Sequence, residues 1–348
     1  MQQRFLGCCF GLIFLLIASC HTGSKSTKFK EVGFYFWQTR FSINEAQLGY
    51  AKNLHTRFLY IRLFDVDTVH LPNGKIGLSP ESIIQTYQKA PDSMQIIPVV
   101  YFTRQAILHM PSVDTMASKL NKLIGVVTSH HGWSFQEIQW DFDWTPSTKL
   151  AYFELLKKLK RYPLFSQKIF SATIRMHQVK NLSMAGIPPV DKGLLMCYNM
   201  GDLKKYSTRN SILDQQKIAT YLTSMKTYPL PLDLALPLFR WGLLFRQQQF
   251  VSILNTLSLD SLTQNSFITK QSNGNFKVAK NTRIQGYELQ SGDEVRYEEI
   301  SVNELKEAAT FLAERTVRDS IRINFFHLDT TILKKYPVHE LQKIIEIF

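Results

Sequence analysis

From residue 31 onward, hydrophobic and polar positions follow two alternating periods. Short β-rich apolar runs occur at EVGFYFWQ (31–38), RFLYIRLFDV (57–66), QIIPVVYF (95–102), EIQWDFDW (137–144), KIFSATIRMH (168–177), GLLMCYNM (193–200), LDLALPLF (232–239) and SIRINFFHL (320–328). Runs of this length and composition predict strands. Between them, apolar positions recur at helical spacing in 42–54, 79–90, 112–131, 147–162, 214–228 and 301–316. Several of these segments open on Ser or Asp, as helix caps prefer. Strand and helix in alternation predict a parallel sheet. Eight strands in about 300 residues fit an α/β fold of the (β/α)₈ TIM-barrel type better than an open doubly wound sheet. No GxGxxG follows the first strand, which argues against a dinucleotide site. The stretch from about 246 to 300 is longer than one helix needs. Its turn signals at Asn273-Gly274 and Ser291-Gly292-Asp293 predict a small β-rich insertion between the seventh and eighth strands.

The amino terminus follows a different pattern. Arg4 precedes an apolar run from Phe5 to Ala18, which is shorter than the roughly 20 residues a spanning helix needs. The run reads as a secretory signal over residues 1–19. Its ending, Ile17-Ala18-Ser19-Cys20, resembles a bacterial lipobox, and the resemblance implies cleavage before Cys20 and lipidation of its thiol. An ordinary signal peptide with a chance cysteine, or an uncleaved anchor, is the alternative. Residues 20–30, poor in apolar side chains, read as a flexible tether, leaving 31–348 for the barrel. The expected place is the cell envelope, through a lipid on Cys20. His21 after that cysteine, rather than Asp, is compatible with sorting to the outer membrane by analogy to other lipoproteins.

Composition narrows the partners. The 348 residues are 45% hydrophobic and 20% charged, enough for a large core. The net charge of +13 raises nucleic acid or an anionic membrane as partners. The densest basic cluster, Lys157-Lys158-Leu159-Lys160-Arg161, closes a predicted helix, where cations suit the dipole. No nucleic-acid motif accompanies it, so no nucleic-acid partner is expected. Four cysteines (Cys8, Cys9, Cys20 and Cys197) show no zinc-type spacing, and the histidines show no HExxH. Neither a metal nor a cofactor is expected, and Cys197 reads as a small buried hydrophobe.

In a barrel of this type, chemistry sits at the carboxyl ends of the strands. In the fourth run, alternation turns Gln139, Asp141 and Asp143 inward and Ile138, Trp140 and Phe142 outward. Two inward carboxylates two residues apart repel, which lifts one of them toward a useful acid range. Asp143 is the expected central carboxyl, tuned by Asp141 and by Arg175 from the fifth strand. A structural role for both acids, bound to Arg or backbone donors, is the alternative. His177 is expected inward on the same strand as Arg175, as acid, base or buried core residue. The second run closes on Arg62-Leu63-Phe64-Asp65-Val66-Asp67, where Arg62 and Asp65 fall on opposite faces unless a bulge intervenes. Asp65 or Asp67 lies about 10 Å from Asp143 across one intervening strand, close enough for the two to act as a pair. An Arg62–Asp65 ion pair is the structural reading. Tyr35, Trp37, Tyr101, Trp144, Tyr198 and Trp241 fall near strand ends, and His327 and Asp329 close the last strand. Sugar rings stack apolar C–H faces on aromatic planes and give their hydroxyls to polar groups, so this mixture suits a glycan cleft.

The segment FQEIQWDFDWT (135–145) resembles the fourth-strand signature of family 18 glycoside hydrolases, the chitinase-like group, which ends in Asp-x-Asp-x-Glu. Asp141 and Asp143 match the two aspartates, and Thr145 stands where the family carries its proton-donating Glu. Met196-Cys197-Tyr198-Asn199 resembles the sixth-strand Met-x-Tyr-Asp, with Asn199 replacing the aspartate. Leu234–Phe239 loosely resembles the seventh-strand Gly-x-Pro-x-Tyr. The resemblance implies a glycan or oligosaccharide partner, with Trp37, Asp65, Tyr101, Trp144, Arg175, His177, Tyr198, Asn199 and Trp241 lining its site. Threonine cannot donate a proton near neutral pH, so the family's mechanism does not carry over. Either a different carboxyl group is the acid, or the chain is a glycan-binding lipoprotein that keeps the barrel without catalysis.

Overall fold

The computed structural model describes residues 29–348; the expected signal peptide, the lipidation site Cys20 and nearly all of the tether lie outside the described residues. Eight parallel strands close into a barrel: β1 (Phe29–Phe36), β2 (Thr56–His70), β3 (Gln95–Phe102), β4 (Glu137–Asp141), β5 (Ile169–Arg175), β6 (Lys192–Met196), β7 (Leu232–Pro237) and β8 (Ser320–Phe326). Each pairs with its neighbour in sequence, and β1 pairs with both β2 and β8, so the parallel barrel has no free edge. All eight expected strands are present.

The helices form where capping and amphipathic spacing agree. Ser112 accepts from the Thr115 amide to open Val113–His130, and Ser301 with Glu304 forms a reciprocal capping box on Val302–Ala313. Lys149–Leu159 buries Tyr152, Leu155, Leu156 and Leu159, one stripe against the barrel. The segment expected as a helix at 79–90 is not one. Residues Ile76–Glu81 instead run antiparallel to the outer half of β2, with Asp65 opposite Glu81 and His70 opposite Ile76. The fifteen-residue β2 projects past the barrel and its backbone groups need partners there. The turn at Asn73-Gly74, with Gly74 at φ +75°, supplies them by reversing the chain.

Inside the barrel, side chains stack in layers. The amino-terminal layer is charged. Glu137 accepts from Lys192 at 2.9 Å and from Arg322 at 2.8 Å, Lys192 also reaches Asp233 at 2.8 Å, and Arg322 donates to the Tyr60 hydroxyl at 2.7 Å. Above it Tyr35 donates to Gln139 at 2.5 Å, and Gly33 lies in register with Asn324. A Cβ on Gly33 would sit 2.1 Å from the Asn324 amide oxygen, so the close approach of β1 and β8 contents needs glycine.

The expected insertion is present and begins at residue 241. Strands Trp241–Arg246, Gln249–Leu254, Ile268–Lys270, Phe276–Val278 and Glu294–Glu298 make a five-stranded antiparallel sheet with a small core of its own around Leu244, Leu257 and Val295. Glu298 ties it to the barrel. Its carboxylate accepts from the Trp241 indole at 2.8 Å, from Arg296 at 2.7 Å and from the Ser211 amide at 2.9 Å. No helix among the described residues is long and apolar enough to cross a membrane.

Candidate active site

At the carboxyl ends of the strands the barrel opens into a cleft of about 550 Å³. On and just beyond β2 to β5 stand Arg62, Asp65, Tyr101, Asp141 and Arg175; on and just beyond β6, β7, β8 and β1 stand Tyr198, Phe239, Phe326 and Trp37, joined by Trp241 from the insertion and by the polar Asn199, Arg240, Asn255 and His327. The aromatic rings of the second group form one ribbon. Phe326 lies 5.7 Å from Trp37, Tyr198 and Phe239 by ring centroids, and Phe239 lies 5.0 Å from Trp241. Edge-on and tilted rings of this kind lock one another in place.

The polar row depends on register. Asp65 pairs with Tyr101, and Tyr101 pairs with Asp141, so the three form one row across β2, β3 and β4. Asp65 joins that row because the β2–β3 register slips between Arg62 and Phe64. The extra residue, Leu63, brings Arg62 and Asp65 to the same face, where they pair at 3.3 Å. The bulge and the ion pair both answer expectations from sequence.

Asp141 is buried and accepts from the Thr173 hydroxyl at 2.7 Å. Burial lifts its pKa to about 6, with the neighbouring Asp143 charge adding to the rise and Thr173 and Arg175 opposing it. Asp65 is raised as well, chiefly by burial, with Arg62 holding it back. Tyr101 is pushed up to about 12 by burial and then by Asp141, Asp143 and Asp65, which places it among all three carboxylates. Asp143 lies past the end of β4, half-exposed, with Arg175 bonded to both its oxygens at 2.6 and 2.8 Å. Five buried polar atoms along the cleft have no protein partner: Arg62 Nε, Asp65 Oδ1, Arg175 Nη1, the Tyr198 hydroxyl and His327 Nδ1. Buried polar groups are ordinarily paired, so such a cluster is suited to a ligand's hydroxyls.

Of the residues singled out from sequence, Trp37, Asp65, Tyr101, Asp141, Arg175, Tyr198, Asn199 and Trp241 line the cleft together. Asn199 adopts φ +56°, a left-handed turn that asparagine tolerates well. Three others are not part of the cleft's lining: Asp143, the expected central carboxyl, stands half-exposed beyond the end of β4, and Trp144 and His177 sit elsewhere. Trp144 is fully buried outside the barrel, stacked on Tyr152 and donating its indole N–H to the Ala185 carbonyl at 2.9 Å. It follows the outward parity of Trp140. His177 does not extend β5: the chain turns into the helix Met176–Lys180, closed by the Gln178 side chain on the Arg175 amide, and His177 faces solvent. Desolvation holds its imidazole below the ordinary value, Arg175 adding to this and Asp143 opposing it. Thr145 does not line the cleft; its hydroxyl lies 2.9 Å from that of Ser147, at the start of the helical layer. Asp329 caps the helix Thr330–Leu333. Cys197 is buried, and burial raises its thiol.

Phe239, Arg240, Phe326 and Asn255 were not among the sequence candidates. Parity on β8 could have marked Phe326, which falls on the same face as Asn324. Asn255 has no such signal, because the insertion brings it in. No group of three or more His, Cys, Asp or Glu side chains placed for a metal occurs among the described residues.

No family model matches the chain, and no curated protein does. Solved structures share its fold. The spore cortex-lytic enzyme SleL of Bacillus cereus superposes with a TM-score of 0.52 at 16% identity, covering 92% of this chain and 75% of that one. A chitinase from Chromobacterium violaceum gives 0.50 at 10% identity, covering 90% and 98%. Catalytic domain 2 of the Group II chitinase of Ostrinia furnacalis, solved in complex with penta-N-acetylchitooctaose, gives 0.50 at 10%, covering 91% and 96%. The chain therefore has the chitinase-like TIM-barrel fold.

Proposed function

We propose that this chain binds a glycan across the mouth of its barrel and hydrolyses it, with Asp141 as the general acid. The observation that carries the reading is an aromatic ribbon facing a polar row across the cleft, with unpartnered buried polar atoms along both. A sugar ring presents surfaces to match, apolar C–H faces against a rim of hydroxyls. The fold shared with chitinases and a cortex-lytic enzyme is consistent with it.

Asp141 suits the acid better than Asp143 does. A carboxyl near pKa 6 keeps its proton at mildly acidic pH and releases it readily in the transition state. Asp143 has both carboxylate oxygens engaged by Arg175 and stands half-exposed beyond the end of β4, whereas Asp141 is buried and lines the cleft. Thr173 fixes one Asp141 oxygen, which orients the group.

A second reading rests on Thr145, which stands where the resemblance places the acid and lies outside the cleft. On that reading the barrel holds a glycan without cleaving it. Purified full chain, incubated with N-acetylglucosamine tetramer and with soluble peptidoglycan strands, separates the two. Release of reducing ends that Asp141→Asn abolishes while binding persists supports hydrolysis. Binding by wild type without release supports the second reading, and absence of binding removes both.

Export and a lipid on Cys20 complete the proposal, placing the chain at the cell envelope, with His21 compatible with the outer membrane. Incorporation of labelled palmitate into wild type and its loss in Cys20→Ala test the anchor.

A further inference from the structure

We infer that Asp65 is the second carboxylate of the reaction, the base that activates water, and that cleavage inverts the anomeric centre. The inference rests on hydrolysis with Asp141 as acid. It departs from the substrate-assisted route implied by the sequence resemblance.

The geometry begins with the shared row. Asp65 and Asp141 are each in register with Tyr101, on either side of it. Neighbouring strands lie about 4.8 Å apart, so the two backbones are about 10 Å apart. Both side chains line the same cleft. Inverting glycosidases hold their two carboxyl groups about 6.5–9.5 Å apart, with room for a water, and retaining ones about 5–5.5 Å. The backbone spacing of the row is nearer the wider bracket than the narrower one.

Asp65 is also chemically available. Arg62 engages one oxygen at 3.3 Å, while Oδ1 is buried without a protein partner in a side chain that lines the cleft. A carboxylate with one oxygen steadied by Arg and the other without a protein partner can accept a proton from a water bound there. Asp143 offers no such oxygen, since Arg175 takes both.

The step balances. Water's oxygen forms a bond to the anomeric carbon from the Asp65 side as its proton passes to Asp65 Oδ1. The glycosidic C–O bond breaks, its electron pair stays on the leaving oxygen, and that oxygen takes the Asp141 proton. Asp65 ends protonated and Asp141 ionised, and exchange with solvent restores both.

The test is ¹H NMR of the first product released from β-linked N-acetylglucosamine tetramer or from peptidoglycan strands, whichever the full chain cleaves. The expected initial product is the α-anomer; an initial β-anomer overturns the inference and leaves hydrolysis by Asp141 standing. Asp65→Asn should lower kcat by about 10²–10⁴-fold with little change in KM, the range for a positioned base. In Asp65→Ala, added azide should restore cleavage and yield the α-glycosyl azide, which loss of a merely structural carboxylate would not produce. Asp65→Asn within threefold of wild type also overturns it. If neither probe is cleaved by wild type, the hydrolytic reading itself falls and takes the inference with it.

Discussion

Arg175 grips Asp143 through two hydrogen bonds of 2.6 and 2.8 Å, two residues beyond the buried Asp141, whose pKa burial lifts to about 6. The Asp143 charge raises Asp141, and Arg175 lowers it. Asp143→Asn removes the first influence and frees the second, so both changes move Asp141 down. Activity that needs protonated Asp141 declines as pH rises through about 6 in wild type. In Asp143→Asn that decline should shift to lower pH by about one unit. A profile of kcat/KM against pH checks this, and an unmoved limb would show that Asp141 is not the acid.

The same carboxyl makes a prediction about stability. Its folded pKa of about 6 lies above its unfolded value of 3.8, so the folded state holds the proton more tightly. Stability from this group is full below the unfolded value, falls as pH rises between the two and stays low above 6. Asp141→Asn, which removes the buried charge, should raise stability at pH 8 by up to about 3 kcal/mol and change it little at pH 4. Urea titrations at the two pH values decide it; equal effects at both would contradict the burial argument.

At the opposite end of the barrel, Glu137 holds Lys192 and Arg322, all three side chains at most 15% exposed. Glu137→Gln leaves two buried cations short of an anion and should cost about 3–5 kcal/mol. Glycan cleavage per folded molecule should change by less than twofold, because the layer lies beneath the cleft. Denaturant midpoint and kcat measured on the same preparation separate the two effects.

Gly33→Ala tests the packing of the middle layer. The added methyl meets the Asn324 amide oxygen at 2.1 Å, and Asn324 is fully buried with its amide on the Leu234 carbonyl. Overpacking of this kind costs about 1–3 kcal/mol. Asn324→Ser in the same chain makes room and should recover part of the loss, whereas an additive double variant would mean the clash is relieved elsewhere.

The barrel was legible in sequence because each strand carries its own signal: β3, β6 and β7 as continuous apolar runs, β4 and β5 as clean alternation. The cleft was legible where parity held, which is why Asp141, Arg175 and Tyr101 fell together. Parity failed where a local bond ended a strand early. Gln178 caps the chain after Arg175 and turns His177 outward, a contact that alternation does not encode. Ser79-Pro80-Glu81 imitates a helix start, and only the overhang of β2 makes it an edge strand instead, where proline is tolerated. Asn255 reaches the cleft through the docking of a distant sheet, fixed by Glu298, Arg296 and Ser211, residues far apart in sequence.

Leu63 has a consequence in terms of inheritance. It is the unmatched residue that turns Asp65 toward the cleft, and without it alternation would carry Asp65 to the outside of the barrel. Gain or loss of a single codon in β2 would therefore add or remove a carboxylate at the mouth while leaving Asp65 itself unaltered in the gene.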